Sequence, residues 1–512
     1  MFRKPYQAGA SDENCVRRVE IEVVPKMSNQ DKAALLLSLI VCLPVSDARV
    51  FADRPNVLFV VADDLNCAIG PYGDRIAHTP NLDRLAAQGV VFDRAYCQQA
   101  VCNPSRSSFL TGLRPNTVGV DDLRKYFRNT VADSQAVVTL PEHFLNAGYY
   151  CRNIGKMFHN MGDSQDRQSW SVDEVLHKGP HSEDTIYRSR APNNKLSMKA
   201  PVTEALDVND TAYRDGRIAE LAAEAIRSYP KGDAPFFLAV GFWRPHLPFV
   251  APKKYWDLYI EEEIASPQPP VPPAGAPDIA LHESREISGY GDRRKSAEFS
   301  DRDVRHFRHG YYASISFLDA QVGKLLDALA DSGHDKNTIV VFTSDHGFHV
   351  GEHALWGKTT NFELDARVPL IIAAPSHAAA EGEHSAAICE LIDLYPTLAD
   401  LAQIPVPEQL QLEGTSLVPV LENTGATVKE FALTQHQQPF YGSRKNWRAI
   451  GYSLRSRRWR FTQWKSIENG SIVATELYDH AVDPLETVNV AERPENADAV
   501  QTLEKQLWSL VD

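Results

Sequence analysis

Two acidic stretches of the sequence each follow a run that reads as a buried strand. Asn56 to Ala62 (NVLFVVA) ends in Asp63-Asp64, and Thr338 to Thr343 (TIVVFT) leads to Asp345-His346. The carboxyl ends of central strands are where α/β sheets place ligands. Both strand ends can face one crevice. Three carboxylates and a histidine, with oxygen donors in the majority, suit a hard divalent cation such as Ca²⁺ better than zinc. Either pair alone reads as a helix cap or a turn. Two pairs on equivalent strand ends favour the metal.

The elements that must position these residues are legible as alternating patterns. Continuous β-branched and aromatic runs mark strands buried on both faces. Besides the two above, they include Pro235 to Gly241 (PFFLAVG) and Pro369 to Ala374 (PLIIAA); a further strand is expected near Tyr150 to Ile154, after a helix. Thr79 to Gly89 predicts a short helix with a threonine cap, a first-turn proline and a glycine stop. Further helices are predicted over about Ser105 to Gly112 and Leu140 to Gly148. Strands alternating with helices over this length predict a large α/β domain with a mainly parallel sheet. Ser266 to Pro277 is proline-rich and reads as a surface linker or lid. From about Phe431 the pattern changes: Ala449 to Leu454, Trp459 to Trp464 and Ser471 to Leu477 read as antiparallel strands, followed by a helix over about Ala497 to Leu510. The expected division is a leader (1–52), a catalytic domain (53–430) and a smaller C-terminal α+β subdomain (431–512).

Composition narrows the class. The chain has 512 residues, 53 Lys plus Arg against 67 Asp plus Glu, and a net charge of −14. That argues against a nucleic-acid or anionic-membrane binder, which needs a basic face. An anionic substrate stays open, since a few converging cations can dominate one pocket. The apolar run Ala33 to Val45 is too short for the roughly 18 residues of a membrane span and resembles the core of a secretory signal. Its flanks fit a start at Met27 and cleavage near Asp53, and predict an exported protein with no membrane span in the mature chain. Seven cysteines are present. Cys15 and Cys42 fall in the leader, and the remaining five are too sparse for a disulfide scaffold. Pairing among Cys67, Cys97, Cys151 and Cys389 is open.

Cys102 opens the segment Cys102-Asn103-Pro104-Ser105-Arg106, with Thr111-Gly112 beyond it. This resembles the sulfatase signature, in register with Asp63-Asp64 and Asp345-His346. An isolated cysteine at a helix start is more commonly a structural thiol; the five-residue match argues otherwise. The resemblance is strongest to the iduronate-2-sulfatase group. It extends over Gly155-Lys156-Met157-Phe158-His159, Pro245-His246-Leu247-Pro248-Phe249, Ser344-Asp345-His346-Gly347, Gly351-Glu352-His353, Lys358 and Val368-Pro369-Leu370. It implies an alkaline-phosphatase-like sulfatase fold and conversion of Cys102 to formylglycine (3-oxoalanine) by a maturation enzyme.

The implied roles follow the chemistry of sulfate esters. One hydroxyl of hydrated formylglycine attacks sulfur, and the other later collapses to the aldehyde and expels sulfate. Asp63, Asp64, Asp345 and His346, with residue 102, hold one Ca²⁺, which acts as a Lewis acid. Arg106 lies one helical turn past Cys102, so it can face the same site and orient the gem-diol. Lys156 and Lys358 neutralise the sulfate. His159 assists the formylglycine hydroxyl and His246 protonates the leaving oxygen. The Lys-x-x-His spacing of Lys156 and His159 departs from the Lys-x-His of other sulfatase branches.

The expected substrate is a sulfated oligo- or polysaccharide, with a 2-O-sulfated uronic acid as the natural proposal. Arg124, Lys125, Trp243, Arg244 and Trp356 are candidate sugar contacts, and His349 and His353 candidate rim or supporting residues. Specificity in such folds lies on loops, so resemblance carries it poorly. Two other readings stay open. One is an arylsulfatase or phosphonate monoester hydrolase on the same fold. The other is a non-catalytic sulfated-glycan binding protein, if Cys102 is never matured.

Overall fold

The computed structural model describes residues 54–131, 137–159, 165–179, 181, 200–230, 232, 234–290, 295–296, 299–441 and 448–511. The expected leader, with Met27 and the apolar run, lies outside the described residues.

Eight strands form the large sheet: β1 (Asn56–Asp63), β2 (Val90–Tyr96), β3 (Tyr150–Gly155), β4 (Phe236–Pro245), β5 (Thr338–Ser344), β6 (Arg367–Val368), β7 (Leu370–Ala373) and β8 (Glu383–Glu390). β1 lies at the centre, parallel to both β4 and β5, and β3 continues the parallel run beside β4. β7 runs antiparallel to β5 and to β2, so that edge of the sheet is mixed. β6 and β7 read as one strand interrupted at Pro369, which has no N–H for the ladder; both pair with β2. The carbonyl of Pro369 instead accepts the Thr343 hydroxyl.

Every residue of β1 is buried, as its uninterrupted apolar run requires. Its alternate residues serve two cores. Leu58, Val60 and Ala62 face one apolar cluster with the helices Arg214–Ser228 and Asp301–Ser332. Val57, Phe59 and Val61 face another with Cys102–Thr111, Leu140–Asn146 and Leu394–Leu401. The predicted helices are present with small shifts of bounds. The first, Pro80–Ala86, departs in its cap: the Thr79 hydroxyl accepts from Gly70 N, and the Asp319 carboxylate accepts the N–H groups of Asn81 and Leu82 instead. The second begins at Cys102 itself, three residues before the expected start.

A four-stranded antiparallel sheet follows: β9 (Ala432–Gln438), β10 (Ala449–Arg455), β11 (Trp459–Ser466) and β12 (Ile472–Asp479). Within this sheet β9 is the strand that the sequence reading missed, because it is rich in glutamine; in the large sheet it also missed β2 and β8. The helix Ala497–Val511 covers one face through Leu503 and Leu507, which pack with Leu454, Phe461 and Leu477. On the other, Trp464 and Tyr478 pack with Leu355 and Phe362. The described residues form one compact unit. A buried ion network ties the two sheets together: Arg460 bonds Glu486 at 2.6 Å and Glu363 at 2.5 Å, while Arg455 bonds Glu363 at 3.0 Å.

Candidate active site

Register places the site. Ala62 stands opposite Ser344, and Asp63 opposite Pro245. Three adjacent strand ends therefore deliver Asp63-Asp64, Asp345-His346 and His246 to one place. The end of β3 delivers Lys156 from the far side of β4. Gly241 allows that approach: a Cβ there would strike the Lys156 backbone, whose N–H donates to the Gly241 carbonyl at 2.7 Å. Asp64 has φ of 65°, a left-handed turn that aspartate tolerates better than most residues.

Cys102 is the first residue of its helix and is 2% exposed. Its Sγ lies 3.5 Å from Asp63 Oδ1 and 3.4 Å from His346 Nε2. Donor atoms of Asp63, Cys102, Asp345 and His346 all lie within 4.8 Å of one another. His346 Nδ1 faces the Gly347 carbonyl at 2.9 Å, so that nitrogen carries the proton. The Nε2 lone pair then points among Asp64 Oδ1 at 3.5 Å, Asp345 Oδ1 at 3.6 Å and the Cys102 sulfur. A ring nitrogen facing two carboxylates needs a proton or a cation between them, and a donor set rich in carboxylate oxygens suits a hard cation. The residues therefore fit a divalent cation.

Three cations balance the three buried carboxylates. Lys156 Nζ contacts Asp63 Oδ2. Lys358 Nζ lies 2.9 and 3.0 Å from the two oxygens of Asp64. Arg106 Nε lies 2.8 Å from Asp345 Oδ2, and its other donors go to Ala62 O, Lys156 O and Met157 O. Arg106 therefore faces the site as expected. Its hydrogen bonds hold the ligand carboxylates and the Lys156 loop rather than an open anion pocket. Burial would raise the Asp63 carboxyl, but Lys156, His246 and Arg106 hold it well below the usual range. Asp64 moves the other way: burial, with Asp63 and Glu286 beside it, outweighs Lys358 and raises it well above that range. Burial, with Asp63 adding, pushes the Cys102 thiol up to about 12, so the unmodified group is an uncharged thiol.

His246 Nε2 lies 3.0 Å from Glu286 Oε1 and 3.7 Å from Asp64 Oδ2, and its Nδ1 faces the Leu247 carbonyl. Burial, then Lys358, lowers the His246 ring below the usual histidine range in spite of Glu286, while Lys358 and His246 outweigh burial and hold the Glu286 carboxyl well below its own range. His159 is buried behind Lys156, and burial, then Lys156, pushes its ring well below the usual histidine range.

Two site residues escaped the sequence reading. Glu286 bonds both Lys358 and His246, and accepts from Tyr441 at 3.4 Å. His181 stacks on His246 at 3.6 Å between ring centres and lies 3.7 Å from Asp63 Oδ2. Both lie in polar loops without a strand end or motif to mark them.

The sugar-contact candidates divide. Arg124 and Lys125 lie on a turn held against the Cys102 helix by Asn103, which donates to the Lys125 and Asp122 carbonyls. Arg124 is exposed there. Trp243 is fully buried under Arg214, 4.0 Å from its ring. Arg244 is buried and holds the carbonyls of His246 and Pro248. Trp356 packs with Phe299 and Phe307. These three serve packing and loop geometry. His349 and His353 are also buried: His349 pairs with Asp365 at 2.7 Å, and His353 bonds the Leu485 carbonyl. Neither reaches a substrate rim. Among the described residues no disulfide forms, and Cys67, Cys97, Cys102, Cys151 and Cys389 are free thiols.

Strand-end carboxylates, a helix-borne residue 102 and paired lysines on this sheet define a sulfuric ester hydrolase of alkaline-phosphatase-like fold. The chain belongs to the sulfatase family, whose model matches residues 55–404. A second model, the C-terminal part of N-sulphoglucosamine sulphohydrolase, matches residues 351–512. The chain is 32% identical to iduronate 2-sulfatase of Homo sapiens over 528 residues, covering 90% of this chain and 95% of the relative. It is 31% identical to a choline-sulfatase of Rhizobium meliloti, covering 86% and 83% of the two chains. The phosphonate monoester hydrolase of Agrobacterium radiobacter shares the fold, with a TM-score of 0.72 at 23% identity, over 89% of this chain and 95% of that one. Among the described residues no helix is long and apolar enough to cross a membrane.

Proposed function

We propose that this sulfatase removes sulfate from a sulfated sugar, a 2-O-sulfated uronic acid at the end of a poly- or oligosaccharide. The observation that carries the chemistry is the convergence of Cys102 with Asp63, Asp345 and His346 beside Lys156 and Lys358. The likeness to iduronate 2-sulfatase over nearly the full length of both chains supports the sugar. A formylglycine at position 102, made by a maturation enzyme, supplies the hydroxyl nucleophile. A Ca²⁺ held by Asp63, Asp64, Asp345 and His346 supplies Lewis acidity toward the sulfuryl oxygens.

The remaining work falls to the chain's own side chains. Lys156 and Lys358 bind the sulfate and stabilise the charge that grows on it. Arg106 fixes the carboxylates that these lysines face. His159 takes a proton from the hydroxyl of residue 102. His246 donates from Nε2 to the leaving sugar oxygen, and Glu286 draws that proton toward the ring. The chain divides near residue 430 into a catalytic domain and a C-terminal subdomain, and residues 1–52 form a leader with a signal sequence starting at Met27. The mature protein acts outside the cytoplasm.

The test is the mass of the tryptic peptide that carries Cys102, from protein made with its native maturation system. A formylglycine lowers it by roughly 18 Da, and a hydrazide traps the aldehyde even when hydrated. An unmodified thiol in active protein overturns the mechanism. Sulfate release from a 2-O-sulfated uronate disaccharide, compared with choline sulfate and a phosphonate ester, then tests the substrate.

A further inference from the structure

Lys358 reaches the site from a loop, where its ammonium lies within 3.0 Å of both Asp64 and Glu286. The residue before it, Gly357, stands opposite His349 in a two-residue antiparallel ladder. The residue after it, Thr359, has φ of 88°, a strained conformation for a β-branched side chain. Strain of this kind persists only where neighbouring contacts enforce it.

Two contacts do so. Gln438 Nε2 donates to the Thr359 carbonyl at 3.3 Å. Thr360 donates to Oδ2 of Asp365 through its backbone N–H, at 3.1 Å, and its hydroxyl, at 2.6 Å. The other carboxylate oxygen of Asp365 lies 2.7 Å from Nδ1 of His349. The Asp365 carbonyl accepts the N–H of Gly347 at 2.8 Å. His349 and Asp365 thus bracket Lys358 and tie its loop to the strand end that carries Asp345-His346.

The hydrogen bonds fix the charges on this pair. His353 Nε2 lies 2.9 Å from the Leu485 carbonyl, which only accepts, so this nitrogen carries the proton. Burial, then His349, lowers the His353 ring, which leaves its Nδ1 as a lone pair. His349 Nε2, 3.3 Å from that lone pair, must donate to it. His349 Nδ1 must donate as well, to a carboxylate. His349 is therefore an imidazolium and Asp365 a carboxylate. Burial opposes both charges, but each group holds the other ionised. Neither side chain is exposed. A buried ion pair gives little net stability over apolar residues of the same volume, so a geometric role accounts for it better.

We propose that Asp365, anchored by His349, is a positioning residue for Lys358: it fixes Thr360 and thereby holds the Lys358 ammonium where sulfate is bound. The inference rests on the sulfatase reading and deepens it.

In the matured full-length enzyme, Thr360→Val keeps the volume, removes one donor and lowers kcat for 4-nitrophenyl sulfate about ten-fold. Asp365→Ala lowers it about thirty-fold or more. Thr360→Ser, which keeps the hydroxyl, stays within about three-fold of the parent. Asp365→Asn still accepts from Thr360 and donates to a neutral His349, so it loses less than Asp365→Ala. In the Lys358→Ala background, Thr360→Val lowers the residual rate less than about two-fold, because no ammonium is left to position. The same loss with and without Lys358, or no loss in either, overturns the proposal.

Hydrogen exchange of the residue 360 amide tests the clamp without turnover. In the full-length protein, Asp365→Ala speeds it about ten-fold or more, while the amides of β1 stay as slow as in the parent. Should that variant fail to fold, Thr360→Val, which leaves the ion pair in place, speeds it about three-fold. A protein that releases no sulfate but shows this response counts against the sulfatase reading alone. Unchanged exchange overturns the positioning role.

Discussion

Glu286 Oε1 lies 3.0 Å from Nε2 of His246. In the proposed mechanism this carboxylate is a positioning residue: it draws a proton toward the ring that would protonate the leaving oxygen. Glu286→Gln removes that pull. The expected result is a kcat lowered about 10²-fold for a sugar sulfate, whose alkoxide needs a proton, and less than about three-fold for an aryl sulfate, whose phenolate does not. Equal losses on both substrates would sink this role.

Lys156 and Asp63 are both fully buried and in contact. Removing one partner leaves an uncompensated charge, which costs about 3–5 kcal/mol. Lys156→Ala is expected to lower the melting temperature and to reduce kcat/KM by at least about 10²-fold. Lys156→Met fills the same space and should show the same stability loss. A variant with unchanged melting would mean that Asp63 had already found another counter-charge.

Chelation tests the carboxylate cluster. A cation bound only by the folded chain stabilises it by about 2.7 kcal/mol at one hundred times its Kd. EDTA should lower the melting temperature, and Ca²⁺ should restore it better than Mg²⁺, which tolerates this mixed donor set poorly. Asp345→Asn should abolish the response. A melting curve indifferent to EDTA would argue against a resident metal.

Glu476 supplies a pH test remote from the chemistry. It accepts from Trp464 Nε1 at 2.8 Å and from the Tyr478 hydroxyl at 2.7 Å. Burial raises its carboxyl to about 7. A raised carboxyl favours the protonated fold, so its contribution is complete below the ordinary glutamate range and is lost as pH rises through about 7. The whole effect is at most about 3 kcal/mol. Glu476→Gln keeps a neutral side chain at every pH. The melting temperature of the variant minus that of the parent should therefore increase between pH 5 and pH 8. A constant difference refutes the assignment.

Much of this site was legible because its residues sit at the ends of apolar runs. Asp63-Asp64 and Asp345-His346 follow strands whose burial on both faces leaves an uninterrupted pattern, and Cys102 opens a segment dense in family-specific residues. Glu286 and His181 were not legible, since their loops reach the site only through tertiary folding and their spacing has no periodicity. The helix Asp301–Ser332 went unmarked for a related reason. Its 32 residues include buried Arg308, His309 and Asp319, which blur the polar and apolar faces. Trp243, Arg244 and Trp356 were proposed for the sugar on residue type alone, and type does not separate a stacking platform from a packed core residue.

The burial of Cys102 sets an order of events during synthesis. Its helix is closed off by Ser105, whose hydroxyl donates to the carbonyl of Asp345, 240 residues further along the chain. β1 likewise waits for β5 to complete its parallel ladder. At about 5–20 residues per second, a ribosome leaves the Cys102 segment without these partners for roughly 10–50 s. Any enzyme that modified this cysteine would have that interval in which to reach it before the finished fold buried it.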